Sequence, residues 1–406
     1  MKRKLIYSVG FSAITLLAVS CKKEVTEQQA QREEIENVEA PTKFGEIIPN
    51  TYIVRYAQSS VATPKNNVSL TYHERQNLYK EELQHLHKSI TQRDLEAQSI
   101  YDKTILGYSA VLSEEEVEKL KNDPRVINIE PDRIVSLGKP DGVGGGGNKG
   151  GDTPPPQTTP WGISRVNGGG SSSAFTAWII DSGVDLDHPD LNVNTSLSET
   201  FLGGNSTPDD QNGHGTHVAG TVAALDNNFG VIGVAPGTSV VSVRVLDRRG
   251  SGSLSGVIAG VNYVASNAGA NDVANMSLGG GISTSLDAAV ISASSTCKFV
   301  LAAGNESDDA NNHSPARVNG ANIYTVSAMT STDGWASFSN YGSPVDYIEP
   351  GVNINSTWKN GGYNTISGTS MAAPHLTGLL LLGNVSVGGY VNVTPDLPDT
   401  DPIGVH

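Results

Sequence analysis

Four short glycine-framed segments hold the residues best suited to chemistry. They are Ile179-Ile180-Asp181-Ser182-Gly183, Asn212-Gly213-His214-Gly215-Thr216-His217, Ala302-Ala303-Gly304-Asn305 and Ser367-Gly368-Thr369-Ser370-Met371-Ala372-Ala373-Pro374. A serine hydroxyl is a weak nucleophile until a base takes its proton. His214 is the candidate base, because imidazole changes charge near working pH. Asp181 is the candidate to fix that imidazole in one tautomer and to stabilise the imidazolium. Asn305 can give its side-chain amide to a developing oxyanion. The Ser370 backbone N–H, at the start of a predicted helix where such groups are unpaired, is a second donor. Acid, histidine, amide and serine together are what acyl transfer by a serine nucleophile requires.

Singly, each has a plainer reading. Asp181 before Ser182-Gly183 suits a turn, Ser370 suits a helix N-terminus, and Asn305 after Gly304 suits a turn. His214 and His217 are three apart, the spacing of a metal pair on one helix face. That alternative lacks a glutamate base and an obvious third ligand nearby.

With these four segments, over about Gln157 to Leu382, the chain resembles the subtilisin-like serine proteases, the family of subtilisin and proteinase K. The order Asp181, His214, Ser370 is the subtilisin order. An α/β-hydrolase runs serine, acid, histidine with its serine in a G-x-S-x-G elbow, and Gly368-Thr369-Ser370-Met371-Ala372 lacks the last glycine. The resemblance implies a substrate cleft. Ser277-Leu278-Gly279-Gly280 and Ala302-Ala303-Gly304 match the two walls of the primary specificity pocket. Gly252-Ser253-Leu254 matches the strand that pairs with substrate backbone. Such main-chain pairing binds extended peptide with little regard for side chains. Broad specificity with an apolar or aromatic preference is expected, since no charged residue in these segments selects a basic side chain.

A structural calcium ion also follows from the resemblance. The matching ligands are the side chains of Gln157, Asp190 and Asn227 and the carbonyls of Leu225, Phe229 and Val231, an oxygen set suited to calcium. A further family site uses an aspartate after the strand at Ile323–Val326. Thr330 stands there, so that site is not expected.

Composition sets the outer bounds. The chain has 406 residues and a formal net charge of -15. Residues 157–406 hold 7 basic and 20 acidic side chains, so nearly all the excess lies there. An acidic catalytic part argues against nucleic acid or anionic membrane as partners. Two cysteines exclude a disulfide framework. Lys2-Arg3-Lys4 and the apolar stretch Leu5 to Val19 form a signal peptide, residues 1–20. Ala18-Val19-Ser20-Cys21 resembles the lipobox of bacterial lipoproteins, which makes Cys21 a lipidation candidate; Ala18 departs from the larger aliphatic residue usual there. Cys297 reads as a buried free thiol.

Residues 21–46 are polar and read as a disordered tether. In residues 47–136, Tyr52–Tyr56, Ser109–Leu112 and Val126–Ile129 read as strands, the last ended by Pro131. Residues 73–100 read as helical, and Ser113 with Glu116 forms a capping box. This unit resembles the inhibitory prosegment of the same proteases, a small ferredoxin-like α+β domain. Residues 137–156, with Gly144-Gly145-Gly146-Gly147 and Pro154-Pro155-Pro156, read as a flexible linker with the processing site rather than a phosphate cradle, because no helix follows. Residues 157–406 form the catalytic domain. There Trp178–Ile180, Val240–Val243, Val273–Met276, Phe299–Ala303 and Ile323–Val326 read as buried strands, and Leu254, Val257, Ile258, Val261 and Val264 have helix spacing. Alternation of this kind predicts a doubly wound α/β fold with a mostly parallel sheet. Asp181 and Asn305 then lie just beyond strand carboxyl ends, where such sheets carry their sites. The expected product is a monomeric, exported, calcium-stabilised endopeptidase. It would act on protein or peptide substrates and be restrained by its own prosegment, with membrane contact only through a lipid on Cys21.

Overall fold

The computed structural model describes residues 45–61, 70–137, 155–394 and 397–406. The signal peptide, Cys21, nearly all of the tether and linker residues 138–154 lie outside the described residues. Among the described residues no helix is long and apolar enough to cross a membrane.

The first unit runs β1 (Ile47–Tyr56), α1 (Tyr72–Thr91), β2 (Ala97–Tyr101), β3 (Leu106–Val111), α2 (Glu114–Lys121) and β4 (Val126–Ser136). The four strands pair antiparallel in the order β2-β3-β1-β4. This is the split βαβ arrangement of the ferredoxin-like fold. Thr71 with Glu74 and Ser113 with Glu116 close reciprocal capping boxes, which start the two helices. Leu83, Leu86 and Leu120 pack with Val54, Leu106 and Tyr108 in a separate small core.

Two expectations for this unit need correction. The helix ends at Thr91, where Gln92 adopts a left-handed backbone (φ 66°) and its N–H closes on Lys88, and residues 97–101 form a strand. Ala97-Gln98-Ser99-Ile100-Tyr101 is too polar to announce an edge strand. β4 also continues through Pro131 to Ser136. Pro131 faces Tyr52 at a register shift, where a missing N–H is tolerated.

The second unit is built on a seven-stranded sheet. Its members are β5 (Thr176–Asp181), β6 (Glu199–Thr200), β7 (Ser239–Arg244), β9 (Val273–Met276), β11 (Lys298–Ala302), β13 (Ile323–Met329) and β14 (Val345–Pro350), in the order β14-β13-β11-β9-β5-β7-β6. Every pair is parallel. Helices α5 (Leu254–Asn267) and α6 (Thr284–Ala293) lie on one face, where Val257, Val261 and Leu286 meet Trp178 and Val243. Helices α4 (His214–Ala223) and α7 (Thr369–Leu382) lie on the other, where Val218 and Leu376 meet Ile179 and Val300. With both faces covered the central strands, such as Trp178–Ile180 and Phe299–Ala302, are apolar runs, as a buried parallel sheet favours. The short helix α3 (Trp161–Arg165) precedes the sheet.

From β5 the order runs outward both ways, to β7 and to β9. Asp181 therefore sits at the switch point at the carboxyl end of the central strand. Short strands complete the unit. They are β8 (Ser251–Ser253), β10 (Gly280–Gly281) paired with β12 (His313–Ser314), and the hairpins β15 (Ile354–Trp358) with β16 (Gly362–Ile366) and β17 (Ser386–Thr394) with β18 (Leu397–Val405).

Candidate active site

Asp181 ends β5 and is fully buried. His214 opens α4, and its Nδ1 lies 2.9 and 3.0 Å from the two carboxylate oxygens of Asp181. Two glycines permit this approach. Gly213 precedes the helix at φ 113°, and a Cβ there would collide with the Trp358 indole. A Cβ on Gly215 would overlap the carbonyl oxygen of Gly183, beside Asp181.

The pair is braced by Asp210, which sequence reading missed. Its Oδ1 accepts from Ser182 Oγ (3.0 Å), Asn212 N–H (2.8 Å) and Gly213 N–H (2.9 Å). Its Oδ2 accepts from Thr216 N–H (3.1 Å) and Thr216 Oγ (2.6 Å). A buried carboxylate here caps α4 and ties the residue after Asp181 to the turn before His214. Burial still pushes its carboxyl above the usual carboxylate range. The available sequence signal was an acid four residues ahead of His214 in an Asp-x-Asn-Gly-His run.

Ser370 is the second residue of α7 and is buried. Its hydroxyl donates to the Ser277 carbonyl oxygen (3.2 Å) rather than to His214. Ser277 Oγ in turn donates to the Ser370 carbonyl (2.9 Å), so the end of β9 grips the start of α7. Asn305 Oδ1 accepts from Thr369 N–H (2.8 Å) and Thr369 Oγ (3.1 Å). A backbone N–H can only donate, so the oxygen of Asn305 must face Thr369 and its NH₂ group is the free end. The Ser370 N–H likewise has no acceptor among the described residues. Two donors without acceptors thus flank the serine.

The cleft residues are brought together. Leu278, Gly279 and Gly280 form one wall of a pocket beside Ser370, and Ala302, Ala303 and Gly304 the other. Glu306, His313, Ser314 and Ala316 also line it, and sequence reading missed all four. Two are ionisable, Glu306 and His313, and both lie outside the segments from which the specificity expectation was drawn. β8 spans Ser251–Ser253. Leu254, expected on the strand, is the first residue of α5 and turns into the core with Val135 and Leu278.

β4 of the first unit fills the cleft. Ile134, Val135 and Ser136 pair antiparallel with Ser253, Gly252 and Ser251, while Ser136 bridges Gly279 on the other side. Leu137 N–H donates to the Gly250 carbonyl (3.0 Å). The end of β4 thus lies between β8 and the Gly279 segment, the position of an extended peptide in strand-addition binding. Two further carboxylates hold the unit. Asp132 accepts from Ser255 N–H (3.0 Å) and Ser255 Oγ (2.5 Å) at the start of α5, and Glu130 accepts from Ser283 Oγ (2.6 Å) just before α6. Asn262 Oδ1 accepts from the N–H groups of Lys103 (2.9 Å) and Thr104 (3.1 Å).

The candidate calcium residues also converge. Asp190 accepts from Asn227 Nδ2 (2.7 Å), Val231 N–H (3.1 Å) and Tyr363 OH (3.1 Å). Gln157 Oε1 accepts from Asn227 N–H (2.8 Å). The carbonyls of Asn228 and Gly230 bond to the 157–158 segment, whereas those of Leu225, Phe229 and Val231 accept nothing among the described residues. Among the described residues no group of three or more His, Cys, Asp or Glu side chains is arranged to hold a metal ion, so a cation here would depend on carbonyl and amide oxygens beside the Asp190 carboxylate. Cys297 is buried and free, and burial raises its thiol to about 12.

Comparison with known proteins agrees with this architecture. Residues 174–383 match the subtilase family, and residues 51–138 match peptidase inhibitor I9. Alkaline serine exoprotease A of Vibrio alginolyticus is 44% identical over 301 residues, covering 71% of this chain and 53% of that protein, so the chain spans about half its length. Subtilisin-like serine protease AsES of Sarocladium strictum is 40% identical over 297 residues, covering 69% of this chain and 71% of that one. M-protease of Shouchella clausii is 39% identical over 298 residues, covering 72% of each. The crystal structure of a cold adapted subtilisin-like serine proteinase aligns with a TM-score of 0.49 at 46% identity, covering 55% of this chain and 83% of that one. The chain belongs to the subtilase family. It is a subtilisin-like serine protease preceded by an I9-type prosegment.

Proposed function

We propose that this protein is an exported serine endopeptidase of broad specificity, made as a proenzyme that cuts itself in the 137–156 segment. The observation that carries the reading is the buried Asp181–His214 pair at the carboxyl end of β5, together with Ser370 and the two donors without acceptors that flank it. In the reaction the Ser370 hydroxyl exchanges Ser277 for His214 Nε2, which takes its proton. Ser370 Oγ then attacks the substrate carbonyl carbon. The resulting oxyanion accepts from the Ser370 N–H and the Asn305 amide. The imidazolium, stabilised by Asp181, returns the proton to the leaving amine. Water repeats the sequence on the acyl-enzyme. β8 and Ser277–Gly280 hold the substrate as the strand now supplied by β4, which supports the prosegment as an inhibitor seated in the cleft.

Ser370→Ala should abolish hydrolysis of casein and of chromogenic peptides, and should prevent labelling by a serine-directed phosphonate. Persistent proteolysis by this variant overturns the assignment. Asp181, His214 and Asn305 carry the other roles. Asn305→Ala should lower kcat far more than it changes KM.

Calcium is proposed at the loop of residues 225–231. The unpaired carbonyls of Leu225, Phe229 and Val231 fit that role, with Gln157, Asp190 and Asn227 beside them. Asn227 would have to turn its amide, since its NH₂ now faces Asp190. Bound there, calcium would fasten the loop to Gln157 and would take no part in the reaction.

Export rests on the sequence of residues 1–20 alone, and the lipid on Cys21 on the lipobox resemblance. If Cys21 anchors the proenzyme, cutting between 137 and 156 leaves the lipid on the prosegment and frees the catalytic domain. Ser370→Ala should then stay in the membrane fraction at full length, while wild-type activity appears in the soluble fraction. A freely soluble Ser370→Ala chain refutes the anchor.

A further inference from the structure

Arg244 is a buried cation that the mechanism above does not use. It ends β7 and lies opposite Asp181 in the parallel register of β5 and β7. The N–H groups of the two residues after it, Val245 (2.8 Å) and Leu246 (3.1 Å), donate to the Asp181 carbonyl. The backbone around Arg244 is thus fixed to the end of β5.

The guanidinium is directed at one segment, residues 207–211. Nη1 donates to the carbonyls of Thr207 (2.9 Å) and Asp209 (2.7 Å), and Nη2 donates to Gln211 Oε1 (3.2 Å). Nε donates to the Leu246 carbonyl (3.3 Å). Ser242 lies two residues earlier, on the same face of β7, and its Oγ donates to the Pro208 carbonyl (2.6 Å). Asp210, in the same segment, turns instead to Ser182 Oγ and to the N–H groups of Gly213 and Thr216.

A buried cation ordinarily has a carboxylate in contact. Every hydrogen-bond acceptor of Arg244 here is a neutral oxygen. Burial lowers the guanidinium below its usual value, and the charge of Asp210 opposes this more than that of Asp209 or Asp247. A planar fork with donors in fixed directions can hold three residues of one segment at once. A lysine ammonium is a point charge and cannot.

We propose that Arg244 is a positioning residue for catalysis: it fixes residues 207–211 to the end of β5 and, through Asp210, holds His214 in the geometry that proton transfer needs. This rests on the peptidase reading above. None of the hydrogen-bond partners of the guanidinium lines the cleft, so its loss acts on the reaction step and spares substrate binding.

The test is steady-state kinetics on a chromogenic peptide, with enzyme concentration taken from the folded fraction. Arg244→Met should lower kcat about 10–100-fold with KM within roughly threefold. Arg244→Lys keeps the charge without the fork and should lose roughly 3–10-fold in kcat. Since Arg244 acts through Asp210, the two losses should not multiply. Arg244→Met placed in Asp210→Asn should cost less than about threefold beyond Asp210→Asn alone. A variant that does not mature is read instead by the first-order rate at which its proenzyme cuts itself, which should fall by the same factors. A wild-type kcat in either Arg244 variant, a loss carried by KM, or losses that multiply in the double variant overturns the positioning role and leaves the peptidase reading intact. Proteolysis that persists in Ser370→Ala removes that reading and this role with it.

Discussion

Ser182 Oγ donates to Asp210 Oδ1 at 3.0 Å, so the residue after Asp181 is fastened to the turn that precedes His214. Ser182 Oγ also accepts from Gly215 N–H (3.0 Å). A second buried carboxylate thus links the segments that carry Asp181 and His214. Asp210 is a positioning residue.

Replacing it should misplace His214 without altering the cleft. Asp210→Asn keeps one oxygen acceptor but turns an NH₂ toward at least one backbone N–H, which can only donate. We expect kcat to fall by about 10–100-fold, with KM within roughly threefold, since a small error in the geometry of the base acts on the transition state. Asp210→Ala should also cost about 2–4 kcal/mol of stability, because several donors are orphaned. Steady-state kinetics on the folded fraction decide the matter. An unchanged kcat in Asp210→Asn would remove the positioning role.

The prosegment should be released more readily when Asp132 is lost. Its carboxylate supplies the start of α5 with acceptors that the mature enzyme lacks, and such a cap contributes about 1–2 kcal/mol. Asp132→Ala proenzyme should show a shorter lag before activity appears, by up to about tenfold. Burial raises the Asp132 carboxyl above its usual value against the pull of its hydrogen bonds to Ser255 and Arg133. The docked form thus binds its proton more tightly than the free form. Docking is firmest below the ordinary carboxylate range and loosens as pH rises through the raised value. Asp132→Asn should flatten that dependence. A lag equal to wild type in both variants would count against the contact.

Asp181, His214, Asn305 and Ser370 could be singled out in the sequence because each lies in a glycine-framed segment. The parallel sheet was legible because strands such as Trp178–Ile180 and Phe299–Ala302 are buried on both faces and read as apolar runs. What escaped notice depends on distant partners. Asp210 resembles any loop acid until Ser182 and Thr216 close on it. His313 belongs to the pocket only because β12 pairs with β10. The edge strand Ala97–Tyr101 is half polar, so its pattern imitates the end of a helix. β4 passes through Pro131 because a register shift relieves that position of its N–H. Leu254 was assigned to a strand from its neighbours, yet its burial with Val135 and Leu278 goes with the first turn of α5.

Glu349 gives a pH test of the folded catalytic domain. It is fully buried on β14, where Oε1 accepts from Gly404 N–H (3.0 Å) and Oε2 has no partner among the described residues. Burial raises its carboxyl well above the usual range. Its contribution to stability is complete below the ordinary carboxylate value and is lost as pH rises through the raised value. Glu349→Gln keeps the acceptor and cannot ionise. It should raise the Tm by a few degrees at about pH 9 and change it little near pH 5. Thermal scans of inhibited enzyme at both pH values check this. An equal loss of Tm at both would show that ionisation of Glu349 is not the cause.

The loop of residues 225–231 yields the last prediction. The carbonyls of Asn228 and Gly230 bond to the 157–158 segment, while those of Leu225, Phe229 and Val231, like those of Asp226 and Asn227, accept no hydrogen bond among the described residues and are open to a cation. A cation that binds only the folded state stabilises by RT ln(1 + [L]/Kd), which is about 2.7 kcal/mol at a hundredfold excess over Kd. For a domain of this size that corresponds to roughly 5–10 °C in Tm. The Tm of the processed Ser370→Ala enzyme, freed of prosegment by an added protease, should therefore climb with free calcium and fall with chelator. Asp190→Ala loses hydrogen bonds to Asn227, Val231 and Tyr363, so its Tm should be lower even without calcium. The informative quantity is the slope against calcium, which Asp190→Ala should flatten. A wild-type Tm that ignores calcium refutes the site, and a slope that survives Asp190→Ala places the ion elsewhere.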